Sequence, residues 1–333
     1  MSAVRSAAEL VGRRVSIDVP ATTANLGAGF DALAMALDLA SLISLEVVPA
    51  ATRPRIDVQV QGEGAGSLPT GRRNRFVSAL LEGLAALGVD PAGAGWRVSM
   101  ANDIPVARGL GSSASATVAG LAAANALTDG ALGRERMLQL AALAEGHADN
   151  AAAAIYGGLC VVANVDGVPR AIRIEPPEAL LAALYIPDKH LSTAAMRAAL
   201  PGSVPFADAV HNVGAATLAL AALSQGRQDL LAAGTRDRLH QPYRAAAYPE
   251  LPHLIEAALA AGAKGACLSG AGSTVIAFSD DVAAAAGLAA AMERRARSLG
   301  LSGRAAVQAA RAEGARVIAD GDVRPAKPSA HLT

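Results

Sequence analysis

Two glycines and three serines crowded between Pro105 and Ala116 carry the clearest chemistry in this chain. In Pro105-Val106-Ala107-Arg108-Gly109-Leu110-Gly111-Ser112-Ser113-Ala114-Ser115 the glycines permit a turn that a Cβ would block, and the serines open a run of small helix formers reaching Leu127. A helix starting there would aim its free N–H groups and the positive end of its dipole at one spot, which suits a phosphate. The hydroxyls add donors for phosphate oxygens or an oxygen ligand for magnesium. A serine-capped helix behind an ordinary glycine turn would show the same residues, so other clusters must decide.

Several further stretches set polar side chains among apolar neighbours. Asn25 and Asp31 flank a glycine turn and either converge on a small polar ligand or bond their own backbone as Asx turns. The spacing Gly27-x-Gly29-x-x-Ala32 also fits a dinucleotide fingerprint, but eight residues separate it from the preceding strand, too many for that motif. His147, Asp149 and Asn150 stand at the end of one helix beside a wholly apolar segment, as a cleft lining or as a plain helix stop at Gly146. Asn74 sits at a helix entrance, as a cap or a polar contact. In the second half, Ser192-Thr193 caps a helix that carries Arg197 one turn later, and Arg236–Arg244 concentrates basic groups and amides. An arginine in such a segment is ordinarily solvated, yet two of them near a capped helix suit a carboxylate bidentately.

The elements that must hold these groups follow from pattern. A length of 333 residues allows about two domains. Hydrophobic residues make up 52% and aromatics 3%, so Ala, Leu and Val at close approach must build the core. A formal net charge of zero offers no field for nucleic acid or an anionic membrane. Cys160 and Cys267 are far apart and outside any C-x-x-C, which leaves neither a disulfide framework nor a zinc site. Arg5, Glu9, Arg13 and Arg14 break up any early apolar run, and a cytoplasmic protein is expected. The uncharged runs Gly109–Thr128, Ala151–Val165 and Ala209–Gly226 are too short, too small in residue type or too interrupted for a membrane span, and read as buried elements.

Strands are expected at Val15–Val19, Leu42–Val48, Ile56–Val60, Trp96–Met100, Leu159–Val165 and Leu184–Ile186. Helices are expected over Arg75–Leu87, Arg134–Glu145 and His211–Leu223, and Gly265–Phe278 reads as strand, glycine turn and strand. The order is α+β rather than a regular βαβ alternation. The end of the chain lacks periodicity.

The glycine-rich motifs, in this order and at these separations, resemble the GHMP superfamily of small-molecule kinases. Within it, Pro20-Ala-Thr-Thr-Ala-Asn-Leu-Gly-Ala-Gly-Phe-Asp31 resembles the homoserine kinase signature, where mevalonate-type members carry a Pro-Gly-Lys version. Glu145-Gly-His-Ala-Asp-Asn150 with Tyr156-Gly-Gly158 is similar to that family's second substrate segment. The likeness runs from about Val15 to Phe278.

The resemblance implies ATP-dependent phosphorylation of the side-chain hydroxyl of L-homoserine, on the route to threonine. It implies a two-domain α+β fold, with an N-terminal nucleotide-binding domain over 10–160 and a ferredoxin-like C-terminal domain over 161–312, leaving 313–333 as a flexible tail. Asn25, Asp31, His147, Asp149, Thr193, Arg197 and Arg244 would hold the amino acid, with the arginines on its carboxylate. The stretch Pro105–Ser115 would wrap the ATP phosphates, Ser113 would reach Mg2+, and Asn74 would lie near the adenine. Asp149, Asn150 and Ser113 would serve the transfer itself, Asp149 chiefly by orienting substrate, in a reaction that needs positioning and charge neutralisation above all. Partners would be homoserine and ATP, with a homodimer as the assembly to test for. Related kinases of another small alcohol, and a non-catalytic nucleotide or amino-acid sensor, stay open as alternatives.

One departure bears on the metal. Many such kinases place a magnesium-binding Glu eight positions ahead of the histidine, where this chain has Gln139. The expectation is an ion held mainly by ATP oxygens, Ser113 and water, with Gln139 bonding one of the waters. Glu145 is the alternative ligand, and Glu135 would reach only from a shifted helix.

Overall fold

The computed structural model describes residues 5–53 and 55–318. Its first sheet has seven strands and grows around Leu33–Pro49, which pairs antiparallel with Arg14–Ala24, with Ala94–Asn102 and, at its other end, with Leu159–Val165. Ile56–Gly62 lies parallel beside Ala94–Asn102, and Val168–Ile174 forms a hairpin with Leu159–Val165. The helices Arg75–Ala86, Ser112–Leu127, Arg134–Glu145 and Asp149–Tyr156 pack together, with Ser112–Leu127 and Asp149–Tyr156 resting on the sheet. The shortage of aromatic residues is met by close approach. Gly120 stands against the Phe76 carbonyl, where any Cβ would collide with it. The helix Ser112–Leu127 is buried on most of its circumference, so the uncharged run there is a core element.

A second sheet has the order Gly265–Leu268, Val275–Ser279, Leu181–Pro187, Gly303–Ala309, antiparallel throughout. With Leu251–Ala260 and Val282–Ser298 this is the βαββαβ pattern of a ferredoxin-like unit, as expected. Leu26, Met35 and Leu110 from the first half share one apolar cluster with Leu184, Ile276 and Phe278 from the second. That shared core fixes the cleft between the halves.

Three expectations are corrected. The strand expected at Leu42–Val48 begins at Leu33, because residues 33–37 are buried on both faces and lose the alternation that marks a half-exposed strand. The division at 160/161 cuts through Leu159–Val165, whereas the first sheet runs on through Ile174. The stretch from 313 is not all tail: Arg316–Ile318 pairs with Arg14–Ala24, and Arg311 and Arg316 both bond the Asp18 carboxylate. A three-residue strand is too short to show periodicity. Residues 319–333 lie outside the described residues.

Among the described residues, only the helix Phe206–Ser224 is long and apolar enough to cross a membrane. One face of it is packed here, with the Asn212 amide donating to the Ala28 carbonyl and the Asp237 carboxylate.

Candidate active site

The phosphate-loop candidate is a rigid cradle. Gly109 and Gly111 sit at φ +77° and +70°, the left-handed region in which only glycine is unstrained. Gly111 stands at the N-terminus of the helix Ser112–Leu127 and has no side chain to cap it, so the first-turn N–H groups face outward for a ligand. The third glycine motif clamps this loop from the other half. Ser269 Oγ donates to the Gly109 carbonyl at 2.7 Å, and the Thr274 N–H donates to the Arg108 carbonyl at 3.0 Å. Leu110 points into the core, and its carbonyl accepts from Thr22 N–H.

Glu145 meets this loop directly. Ser113 Oγ donates to Glu145 Oε1 at 3.0 Å, and Thr117 Oγ1, one turn along the same helix, donates to the same oxygen at 2.7 Å. The reason is local. The helix Arg134–Glu145 stops at Gly146, φ +79°, which leaves Glu145 at its end beside the cradle. Gln139 lies elsewhere, its Oε1 accepting from Arg136 at 2.9 Å, and it lines neither cavity of the cleft. Of the two residues left open for the metal, Glu145 stands beside the loop and Gln139 away from it. No group of three His, Cys, Asp or Glu side chains forms a cation cage among the described residues. One carboxylate with two hydroxyls fits an ion that takes its other ligands from phosphate and water, as magnesium does.

On the other side of the cradle, Asp149 starts the helix Asp149–Tyr156 and is buried. Its Oδ1 lies 2.7 Å from His147 Nδ1 and accepts from the Asn150 N–H at 2.7 Å. The Asp149 carboxylate holds the His147 imidazole above its ordinary value, against the opposing effect of burial. Thr22 Oγ1 donates to Asn150 Oδ1 at 2.8 Å, which ties this corner to the first strand.

Asn25 and Asp31 both take positive φ, 71° and 56°, and the Asp31 N–H donates to Asn25 Oδ1. The Asn25 side chain thus closes a loop six residues wide, broader than an Asx turn, and brings Asp31 back beside it. Asn25 Nδ2 donates to the Gly270 carbonyl, so its amide braces the turn against the second half. The Asp31 carboxylate receives Arg197 bidentately at 2.8 and 2.9 Å across the cleft. Arg197 comes from the short helix Thr193–Ala198, capped by Ser192 as expected.

Arg244 lies on Gln241–Arg244 and is 1% exposed, yet it borders the same pocket. Burial, with the Arg197 charge second, lowers its guanidinium to about 10. His240 is fully buried behind it. Burial holds that imidazole below its ordinary 6.5, with the Asp237 and Asp31 carboxylates and the Gly27 carbonyl opposing and the Arg244 charge assisting. A histidine kept neutral by folding adds stability that is fully present above pH 6.5 and is lost as the pH falls through the folded-state value. Thermal midpoints between pH 7.5 and 5 (roughly the window this linkage sets) should therefore fall more steeply for the wild type than for His240→Asn. Parallel curves would remove the histidine from the acid response.

Asn25, Asp31, His147, Asp149, Asn150, Thr193, Arg197 and Arg244 border one polar pocket of about 110 Å³ with Arg108, Gly109 and the loop through Ala114. A larger cavity of about 380 Å³ continues from the loop, walled by Val19, Ile43, Leu68, Met100 and Ile104, with Val106, Ala107 and Asn74 on its rim. Asn74 caps the helix Arg75–Ala86 by accepting from the Phe76 N–H, and its amide donates to the Pro69 carbonyl, so its polar groups are taken. Ser115 borders the cavity but spends its hydroxyl on the Pro20 carbonyl at 2.6 Å. Arg108 turns its guanidinium to the Asp188 carbonyl in the second half. Pro105 lies outside both linings. Sequence reading missed Thr22 and Thr117, which bond Asn150 and Glu145. Thr117 was within reach, since Ser113 and Thr117 share a helix face at i,i+4.

Residues 74–158 match the GHMP kinases N terminal domain and residues 219–298 the GHMP kinases C terminal domain. A homoserine kinase from Synechococcus sp. (strain WH7803) is 40% identical over 297 residues, 89% of this chain and 93% of that protein. The crystal structure of homoserine kinase from Cytophaga hutchinsonii ATCC 33406 superposes with a TM-score of 0.80 at 28% identity, covering 92% of this chain and 97% of that one. The L. major mevalonate kinase, at 18% identity and a TM-score of 0.61 over 90% of this chain and 95% of that one, shares the fold.

Proposed function

This chain belongs to the homoserine kinase family of GHMP kinases, and we propose that its cleft performs that family's transfer, from the γ-phosphate of ATP to the side-chain hydroxyl of L-homoserine. The products are O-phospho-L-homoserine and ADP. The observation that carries the reading is the layout of charge in the small pocket. The Asp31 carboxylate, two guanidiniums and an Asp–His pair whose carboxylate is buried lie within one pocket beside an uncapped helix N-terminus.

The pocket complements a zwitterion. Asp31 suits the α-ammonium and Arg197 and Arg244 suit the α-carboxylate, so the pair seen across the cleft mirrors the two charges of the ligand. All the hydrogen bonds of Asp149 run to Oδ1, which leaves Oδ2 to orient the hydroxyl or accept its proton. Asn150 keeps that carboxylate in place. Backbone N–H groups from Gly109 to Ser113 receive the phosphates, and the larger cavity takes the nucleoside between its apolar walls. Glu145, Ser113 and, through Glu145, Thr117 would hold Mg2+ beside the loop. When bound, the ion neutralises charge on the transferring phosphoryl group. The groups of this chain thus supply position and electrostatics, the main requirements of phosphoryl transfer. A cytoplasmic place of action goes with this reading, since ATP is drawn from there.

The test is ADP release from purified protein with magnesium-ATP and a panel of hydroxy amino acids and small alcohols. Turnover with homoserine above the rest is expected. Preference for threonine or an isoprenoid alcohol would reassign the substrate, and binding without turnover would make the protein a sensor.

A further inference from the structure

We propose that His240, with Phe30 behind it, is a positioning residue that holds Arg244 aimed at the substrate carboxylate; the inference rests on the assignment of Arg244 to that group. A guanidinium has five N–H donors and no acceptor, so burying one calls for partners on several sides. Those of Arg244 are all neutral: His240 Nδ1 at 3.1 Å, the Gly270 carbonyl at 3.0 Å and the Met196 carbonyl at 3.4 Å. Among the described residues no carboxylate forms an ion pair with it, whereas Arg197 is already bound to Asp31. The Arg244 charge is therefore held in place without being neutralised, and it is kept for an incoming anion.

The histidine does this through its tautomer. His240 Nε2 lies 2.8 Å from the Gly27 carbonyl, which can only accept, so Nε2 carries the proton and Nδ1 offers its lone pair to Arg244. Asp237 fixes the backbone beneath it by accepting from the N–H groups of Leu239 and His240. Phe30 completes the mount. Its ring stacks on the imidazole with centroids 5.0 Å apart, and the guanidiniums of Arg244 and Arg197 stand 5.3 and 5.7 Å from its centroid. One aromatic ring thus gathers both arginines and the histidine, with Asp31 next in sequence to it. A carboxylate in place of the imidazole would cancel the charge the site needs, and an alkyl group would leave the guanidinium without its acceptor.

The experiment compares homoserine with 3-aminopropan-1-ol, the same amino alcohol without its carboxylate, in the full-length protein. KM and kcat are measured for homoserine, and Ki for 3-aminopropan-1-ol as its competitor. His240→Leu should raise the homoserine KM by about tenfold or more, the scale of one lost hydrogen bond to a charged group. Its kcat should move less and the Ki should stay unchanged. His240→Asn, whose Oδ1 can occupy the place of Nδ1, should recover most of the loss. Phe30→Leu should raise the homoserine KM at constant Ki, and it carries the test if His240→Leu does not fold. Arg244→Ala is the control for the assignment beneath the proposal. If Arg244→Ala raises the homoserine KM but His240→Leu does not, or if His240→Leu shifts KM and Ki by the same factor, the positioning role falls and the carboxylate assignment stands. If Arg244→Ala leaves the homoserine KM unchanged, the assignment itself falls and the proposal falls with it.

Discussion

In Gly111→Ala, turnover is expected to drop by at least about a hundredfold, the scale on which a misplacement of roughly 1 Å costs a well-aligned transfer. The residue sits at φ +70°, where an L side chain is strained, and the new Cβ would overlap Thr22 Oγ1. Thr22 cannot swing aside, since it is fully buried and its hydroxyl bonds Asn150. The strain must then go into the loop, which lies between the Asp149 corner and the N–H groups assigned to phosphate. Turnover and the unfolding midpoint should be measured together. A variant that is folded and within tenfold of the wild type (a difference of about 1.4 kcal/mol in the barrier) would remove the loop from the reaction.

Glu145→Gln should lower turnover by about a hundredfold and raise the magnesium concentration that supports it, because one charged ligand to a hard cation becomes a neutral amide. The substitution keeps an oxygen for Ser113 and Thr117 to bond, so the fold around it should hold. Gln139→Ala should leave both quantities alone, its amide being bonded by Arg136 away from the cleft. The magnesium dependence of turnover at fixed ATP decides. An unchanged requirement in Glu145→Gln, alongside a raised one in Gln139→Ala, would return the metal to the position counted from the histidine.

That pair of residues shows where sequence reading stops. The helix Arg134–Glu145 and the strand Leu159–Val165 were expected at the ends the structure gives them, since Gly146 and Gly157-Gly158 punctuate the chain there. The residues expected in the pocket do meet in it. Counting eight positions back from His147 followed the pattern of related kinases, and here the helix runs on to Glu145, two positions before the histidine. Pairings across the cleft were out of reach for a different reason. Asp31 and Arg197 lie 166 positions apart, and each alone has the type that suits a ligand charge. Nothing local says that they bind one another. Ser115 and Asn74 teach the same lesson in reverse: both have plausible ligand groups, and both spend them on backbone carbonyls brought close by the fold.

The return of Arg316–Ile318 to the first sheet, where it pairs with Arg14–Ala24, changes what the second half is. The chain leaves the first sheet after Ile174, builds the ferredoxin-like unit, and comes back to the same sheet at Arg316. Topologically that unit is an insertion with two covalent crossings, and the first unit is assembled from both ends of the chain. Two covalent crossings and the shared apolar cluster around Leu26, Leu110, Leu184 and Phe278 therefore hold the second unit against the first, so the meeting of Arg197 with Asp31 and of Ser269 with the phosphate loop is set by chain path as well as by packing.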